Sequence, residues 1–123
     1  MWIFAEQGYF SVVEDRADAG RLLVRTRLRG DLERLRVKEP RLGPTREDAG
    51  TDYRFRADIP REAFAELLAR LAMELAYGNF KGRVEEVDGP GRETLYMKVW
   101  TTMYAAQESE RQNEQRQRAM PGR

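Results

Sequence analysis

Two short segments of this sequence alternate arginine with apolar residues, VRTRLR at 24–29 and YRFR at 53–56. Such alternation is typical of strands that bury one face, so the arginines are expected to share the opposite face. Guanidinium groups on an open sheet face, with aromatic side chains nearby, can bind single-stranded nucleic acid through phosphate contacts and base stacking. The candidate binding residues of this pattern are Arg25, Arg27, Arg54 and Arg56.

The same arginines lie among acidic residues, which favours a different interpretation. Cross-strand ion pairs with Asp52, Asp58 or Glu14 would neutralise them, and alternating charges allow a face or an exposed strand edge to pair with a second copy across a two-fold axis. The formal net charge of +1 is small for a protein that binds polyanions. The sequence therefore favours a non-catalytic interaction or regulatory module, with a protein partner or itself as a homodimer, over the nucleic-acid alternative.

Acidic residues in two predicted loops suggest metal-assisted chemistry as a third interpretation. The clusters are Glu47, Asp48 and Asp52, and Glu85, Glu86 and Asp88. Loop carboxylates can hold Mg²⁺ for phosphoryl chemistry, but neither cluster has the regular spacing of a calcium-binding loop. Solvated loop charges explain both clusters, so no catalytic residue, metal ligand or cofactor is assigned.

Composition excludes several classes of site. The 123 residues include no cysteine and no histidine, which removes thiol nucleophiles, disulfides, imidazole acid–base chemistry and ordinary zinc sites. No apolar run approaches the length of a membrane span. The opening MWIFAEQGYF lacks the basic region and cleavage site of a signal peptide. The expectation is therefore a cytoplasmic protein without a membrane partner.

The stretch from Asp52 to Phe80 predicts the elements around which the rest is arranged. Alternation at 52–59 indicates a strand, and apolar residues at 64, 67, 68, 71 and 75 recur at the spacing of the longest helix. Asp58 is the expected N-cap, with Pro60 in the first turn. Gly78 is the expected C-terminal stop of this helix.

The remaining patterns predict a single α+β domain over residues 1–107. Strands are expected in 1–15 and 21–29, a short helix capped by Asp31 follows, and 45–48 is a candidate short strand. Residues 81–91 are expected to be a connector, before a last amphipathic helix and a polar tail at 108–123 that is either solvated helix or disordered. The predicted fold is a two-layer sandwich, a four-stranded mainly antiparallel sheet with helices on one face, ferredoxin-like or similar, in the order ββαββα plus a C-terminal helix.

The predicted core combines one face of each strand with the apolar stripe of each helix. Its members are Phe10, Val12, Leu22, Val24, Leu28, Leu32, Leu35, Tyr53, Phe55, Phe64, Leu67, Leu68, Leu71, Leu75, Val99, Trp100 and Met103.

Several short motifs are shared with other sequences. They are MW with Phe4 at the start, GYFSVV at 8–13, AGTDYRFR at 49–56, YGNFK at 77–81, and VW with MY in 99–104. With these motifs the chain resembles a small, widely distributed family of uncharacterised bacterial proteins, over most of its length up to about residue 107. The resemblance implies no activity, cofactor or catalytic residue.

Overall fold

The computed structural model describes residues 1–122. The chain forms two compact units, Met1–Tyr77 and a second unit from Gly78 onward. The expected domain boundary lay at 107/108, whereas a single helix runs through that position.

The first unit contains a five-stranded antiparallel sheet and two helices, and it confirms the predicted α+β class. The strands are β1 (Trp2–Ala5), β2 (Gly8–Glu14), β3 (Arg21–Thr26), β4 (Arg46–Glu47) and β5 (Phe55–Pro60), in the spatial order β1-β2-β3-β5-β4. The helices are α1 (Arg29–Lys38) and α2 (Arg61–Met73). The four-stranded ferredoxin-like arrangement is not matched, because the N-terminal segment folds as a hairpin of two strands, β1 and β2.

The hydrophobic core lies between one face of this sheet and the two helices. Alternate strand residues such as Phe10, Val24 and Ile59 pack against apolar residues of α1 and α2 such as Leu35 and Leu67. The burial alternates residue by residue along β3 and β5, as the period of two in the sequence predicts. The opposite face of the sheet, here called the outer face, therefore carries the remaining, alternate side chains of each strand.

Two expected helix caps have other roles. Asp31 lies inside α1, where its carboxylate accepts a hydrogen bond from the Tyr9 N–H at 3.0 Å and binds Arg34 at 2.8 Å. Asp58 lies within β5 and binds Arg46 at 2.6 Å, because the strand continues to Pro60 before α2 begins. The N-cap positions of α1 and α2 are instead Leu28 and Pro60.

Asp31 also explains why residue 8 is glycine. Gly8 has φ +149°, and a Cβ there would lie 2.4 Å from the Asp31 Cγ. A larger residue would displace the carboxylate that holds β2 against α1. The turn of the hairpin lies at residues 6 and 7, and Gly8 begins its second strand.

The second unit is a helical hairpin. Its helices are α3 (Phe80–Asp88) and α4 (Pro90–Ala119). The expected connector at 81–91 is wrong for α3, since the Asn79 side chain caps that helix by accepting the Gly82 N–H at 3.0 Å. Gly89, with φ 81°, separates the two helices.

The expected apolar residues of α4 are not in a core. Val99, Trp100 and Met103 are all exposed, because a helix of 30 residues extends far beyond the 9 residues of α3. The polar segment after 107 is helical to Ala119.

Of the first-unit residues expected in the core, Leu28 and Leu75 are exposed. The predicted helix stop at Gly78 is also wrong, since α2 ends at Met73.

Among residues 1–122, no helix combines the length and the apolar character that crossing a membrane requires.

Candidate functional site

The register of the sheet aligns one row of side chains across the outer face. Trp2 lies opposite Ser11, Ser11 opposite Arg25, and Arg25 opposite Arg56. Directly paired residues in antiparallel strands project to the same face. The row therefore runs from an aromatic residue at the β1 edge to two arginines in the middle of the sheet.

Two tyrosines form the centre of the outer face. The Tyr9 and Tyr53 hydroxyl oxygens lie 2.9 Å apart in a shared hydrogen bond. The guanidinium carbons of Arg25 and Arg27 lie 4.7 Å and 4.6 Å from the centre of the Tyr53 ring. Arg56 donates from Nε to the Tyr53 carbonyl at 3.3 Å. We call these five residues the arginine–tyrosine cluster.

The three arginines of this cluster have no ionic partner in the described part of the chain. No carboxylate of residues 1–122 lies within 4.0 Å of the Arg25, Arg27 or Arg56 guanidinium nitrogens. Arg25 instead donates to the Ser11 hydroxyl at 2.7 Å, and its Nε is covered without a hydrogen-bond partner. Like charges directly across a sheet destabilise it, so the Arg25–Arg56 pair favours an anion beside it.

The fourth candidate, Arg54, belongs to a separate, ion-paired group. Its guanidinium binds the Glu47 carboxylate at 2.5 Å, and Arg29 binds the same carboxylate at 2.7 Å. These two ion pairs hold the pKa of Glu47 below its usual range, chiefly through the hydrogen bond from Arg54. The structure therefore brings together Arg25, Arg27 and Arg56, and places Arg54 outside the cluster.

The surroundings of the tyrosines affect their ionisation in opposite directions. Burial and the hydrogen bond to Tyr53 raise the pKa of Tyr9 to about 12. Burial also acts to raise the pKa of Tyr53, but hydrogen bonding and the nearby positive charges of Arg27 and Arg25 lower it on balance. The raised pKa keeps the Tyr9 hydroxyl protonated at neutral pH.

Aromatic side chains extend the cluster towards the β1 edge. The Phe4 ring stacks on Tyr9 with centroids 4.5 Å apart, and the Trp2 ring meets Tyr9 edge-on at 6.2 Å and 78°. Trp2 is 70% exposed. An accessible indole beside a group of cations is the arrangement found on stacking surfaces for single-stranded nucleic acids.

Other kinds of site find less support in the described residues. Among residues 1–122 no three acidic side chains converge as a metal site would require. Glu47, a member of one proposed acidic cluster, binds two arginines instead. Cavities of 180 and 270 Å³ on the first unit are lined mostly by apolar side chains, below the roughly 300–1,000 Å³ of ordinary small-molecule pockets.

Sequence reasoning identified the arginines but missed three residues that organise them. Tyr53 is buried as predicted, but its ring contacts the arginines of the outer face, just before β5 begins at Phe55. Trp2 and Ser11 join the row only through strand pairing, which a sequence without a known register does not supply. The aromatic residues of the opening segment MWIFAEQGYF were the sequence feature that could have indicated an aromatic part of the outer face.

Comparisons of this chain with protein-family models, curated proteins and solved structures find no match.

Proposed function

We propose that this protein is a non-catalytic binding module whose outer face takes single-stranded nucleic acid. The observation that carries the proposal is the arginine–tyrosine cluster. Arg25 and Arg27 lie over the Tyr53 ring and Arg56 binds the Tyr53 carbonyl, and none of the three guanidinium groups has a carboxylate partner among residues 1–122. Phosphates bind such cations, and bases stack on neighbouring aromatic rings.

The distribution of ion pairs supports nucleic acid over a protein partner on this face. Self-association through alternating charges needs accessible carboxylates, and two of the carboxylates near these strands are engaged within the same chain, since Asp58 binds Arg46 and Glu47 binds Arg29 and Arg54. Those internal pairs leave the cluster positive while the whole chain carries only +1. A localised positive surface of this kind attracts a polyanion without requiring a strongly basic protein.

The sequence favoured an interaction module with a protein partner or a second copy of itself, and a homodimer is the competing proposal for this face. It predicts a dimeric mass in light scattering and loss of the dimer when the cluster arginines are replaced. A monomeric mass at working concentration would remove it. A dimer that is lost with the cluster arginines would count against the nucleic-acid proposal, because self-association would occupy the same face.

The direct test is fluorescence anisotropy of a short labelled single-stranded oligonucleotide titrated with the protein. We expect saturable binding that is lost in the triple variant R25E/R27E/R56E. The matched control R111E/R116E/R118E makes the same change in net charge on exposed residues of α4. This control separates the location of the charge from its amount, and we expect it to bind within a few-fold of the wild type.

Circular dichroism of every variant establishes that the fold is retained. If R25E/R27E/R56E fails to fold, the milder R25Q/R56Q variant provides the comparison, with an expected loss of about tenfold for two phosphate contacts. Absence of binding by the wild type at low salt, or equal loss in the α4 control, would contradict the proposal.

A further inference from the structure

The outer-face row has a direction as well as a composition. Its aromatic end is Trp2 on the edge strand β1, and its cationic part is the Arg25–Arg56 pair on β3 and β5. Beyond Arg56 the register reaches Arg46 on β4, which is paired with Asp58. We infer that a single nucleic-acid strand crosses the sheet along this row. One unpaired base of the strand stacks on the Trp2 indole, and Arg25 and Arg56 bind phosphates of the same strand. The inference rests on the proposed function and adds to it a path, a stacking residue and a footprint.

Trp2 is suited to stacking because most of the residue is accessible. The indole and the Tyr9 ring form a T-shaped pair with 78° between their planes, and Trp2 is 70% exposed. Phe4 differs, because one face of its ring is already stacked on Tyr9 at an interplanar angle of 24°. A base can therefore lie flat on Trp2 without displacing a contact between Trp2 and Tyr9.

The other end of the row is suited to phosphate. Ser11 holds one terminal nitrogen of Arg25 at 2.7 Å, and the Tyr53 ring lies 4.7 Å from its guanidinium carbon. Arg56 is held from its Nε by the Tyr53 carbonyl. Both guanidinium groups are thus positioned before any ligand arrives, which reduces the entropy lost on binding.

Strand spacing gives the length of the footprint. Trp2 and Arg56 lie on strands three positions apart in the sheet, a separation of about 14 Å at roughly 4.8 Å per strand. A stacked single strand advances about 3.4 Å per nucleotide, so the row accommodates about four nucleotides. A duplex cannot use it in this way, because its bases are paired and enclosed.

The test uses the fact that the sequence has two tryptophans, Trp2 and Trp100. In the full-length W100F protein, tryptophan emission reports on Trp2 alone, and in the W2F protein it reports on Trp100 alone. Each protein is titrated with a single-stranded tetranucleotide, with an abasic tetramer of the same charge, and with a duplex. Binding is followed in parallel by anisotropy of the labelled ligands.

We expect the tetranucleotide to quench the emission of W100F and to leave W2F unchanged, while the abasic tetramer and the duplex quench neither. We also expect the W2A variant to bind the tetranucleotide about tenfold more weakly than the wild type, the effect of losing one base stack. The control V13A, which alters an exposed outer-face residue outside the row, is expected to bind normally.

The outcomes separate this inference from the proposed function. If the oligonucleotide binds and R25E/R27E/R56E abolishes binding, but W100F shows no quenching, the stacking inference is wrong and the proposed function stands. Quenching of W2F would place the ligand at Trp100 and would also overturn the inference. If no single strand binds, both fail.

Discussion

Tyr53 shows how a single residue decides the character of the outer face. Its burial, at 3% exposed, is that of a core residue, but its contacts are the Tyr9 hydroxyl and the Arg25 and Arg27 guanidinium groups. The guanidinium groups of Arg25 and Arg27 lie over the Tyr53 ring. Such cation–π contacts are worth about 0.5–2 kcal/mol each, depending on solvent exposure, so the ring positions the arginines without neutralising them.

Replacing Tyr53 tests that positioning role. We expect Y53F to keep oligonucleotide affinity within a few-fold of the wild type, because the ring beneath the guanidinium groups is retained. We expect Y53A to bind about tenfold more weakly, because the two arginines lose their support. Anisotropy titrations measure both, with thermal unfolding as the check on folding. Equal affinities of Y53A and the wild type would show that the ring does not position the arginines.

At the scale of elements, sequence periodicity predicted the parts of the fold in which local pattern and burial agree. The alternation at 55–59 appears as β5, and the apolar spacing from Phe64 to Leu71 appears as α2. The wrong predictions concern residue types that can either cap a helix or bind a partner elsewhere in the fold. Asp31 and Asp58 resemble helix caps in sequence, but a tertiary partner binds each carboxylate instead. The Asn79 cap of α3 was read as part of a loop.

Glu39 joins the two helices of the first unit. This buried carboxylate follows the end of α1, binds Arg41, and binds Arg70 of α2 at 2.6 Å. The hydrogen bond from Arg41, together with that from Arg70, outweighs burial and lowers the pKa of Glu39 to about 2. Because the folded pKa lies below the unfolded value, Glu39 stabilises the fold above the unfolded pKa, and this contribution is lost as the pH falls towards 2.

The E39Q variant isolates this contribution. We expect it to be less stable than the wild type by about 1–3 kcal/mol at neutral pH, the effect of weakening buried hydrogen bonds to a charged group. The difference should decrease as the pH falls from about 4.3, the usual value for Glu, towards about 2. Urea unfolding across this range measures it, with the exposed E62Q as a charge-matched control. A difference independent of pH would show that the ionised carboxylate is not responsible.

At the scale of the whole molecule, the described chain separates a sheet-containing unit from a helical hairpin. Every residue of the main core cluster lies before Tyr77, and so does every residue of the arginine–tyrosine cluster. The sequence predicted the α+β class, whereas the alignment of Arg25 and Arg56 in one row follows only from the strand order and register of the sheet. Residues 56 and 25 are neighbours only because β3 pairs with β5.

The measurement that tests the central claim most directly is the salt dependence of oligonucleotide binding. Each phosphate neutralised on a single strand contributes about −0.7 to the slope of log K against log salt, so three cluster arginines predict a slope of about −2. The R25Q/R56Q variant, which keeps one cluster arginine, should reduce the slope to about −0.7, and the α4 control R111E/R116E/R118E should retain the full slope. A wild-type slope near zero, or one that R25Q/R56Q leaves unchanged, would contradict a nucleic-acid site at the arginine–tyrosine cluster.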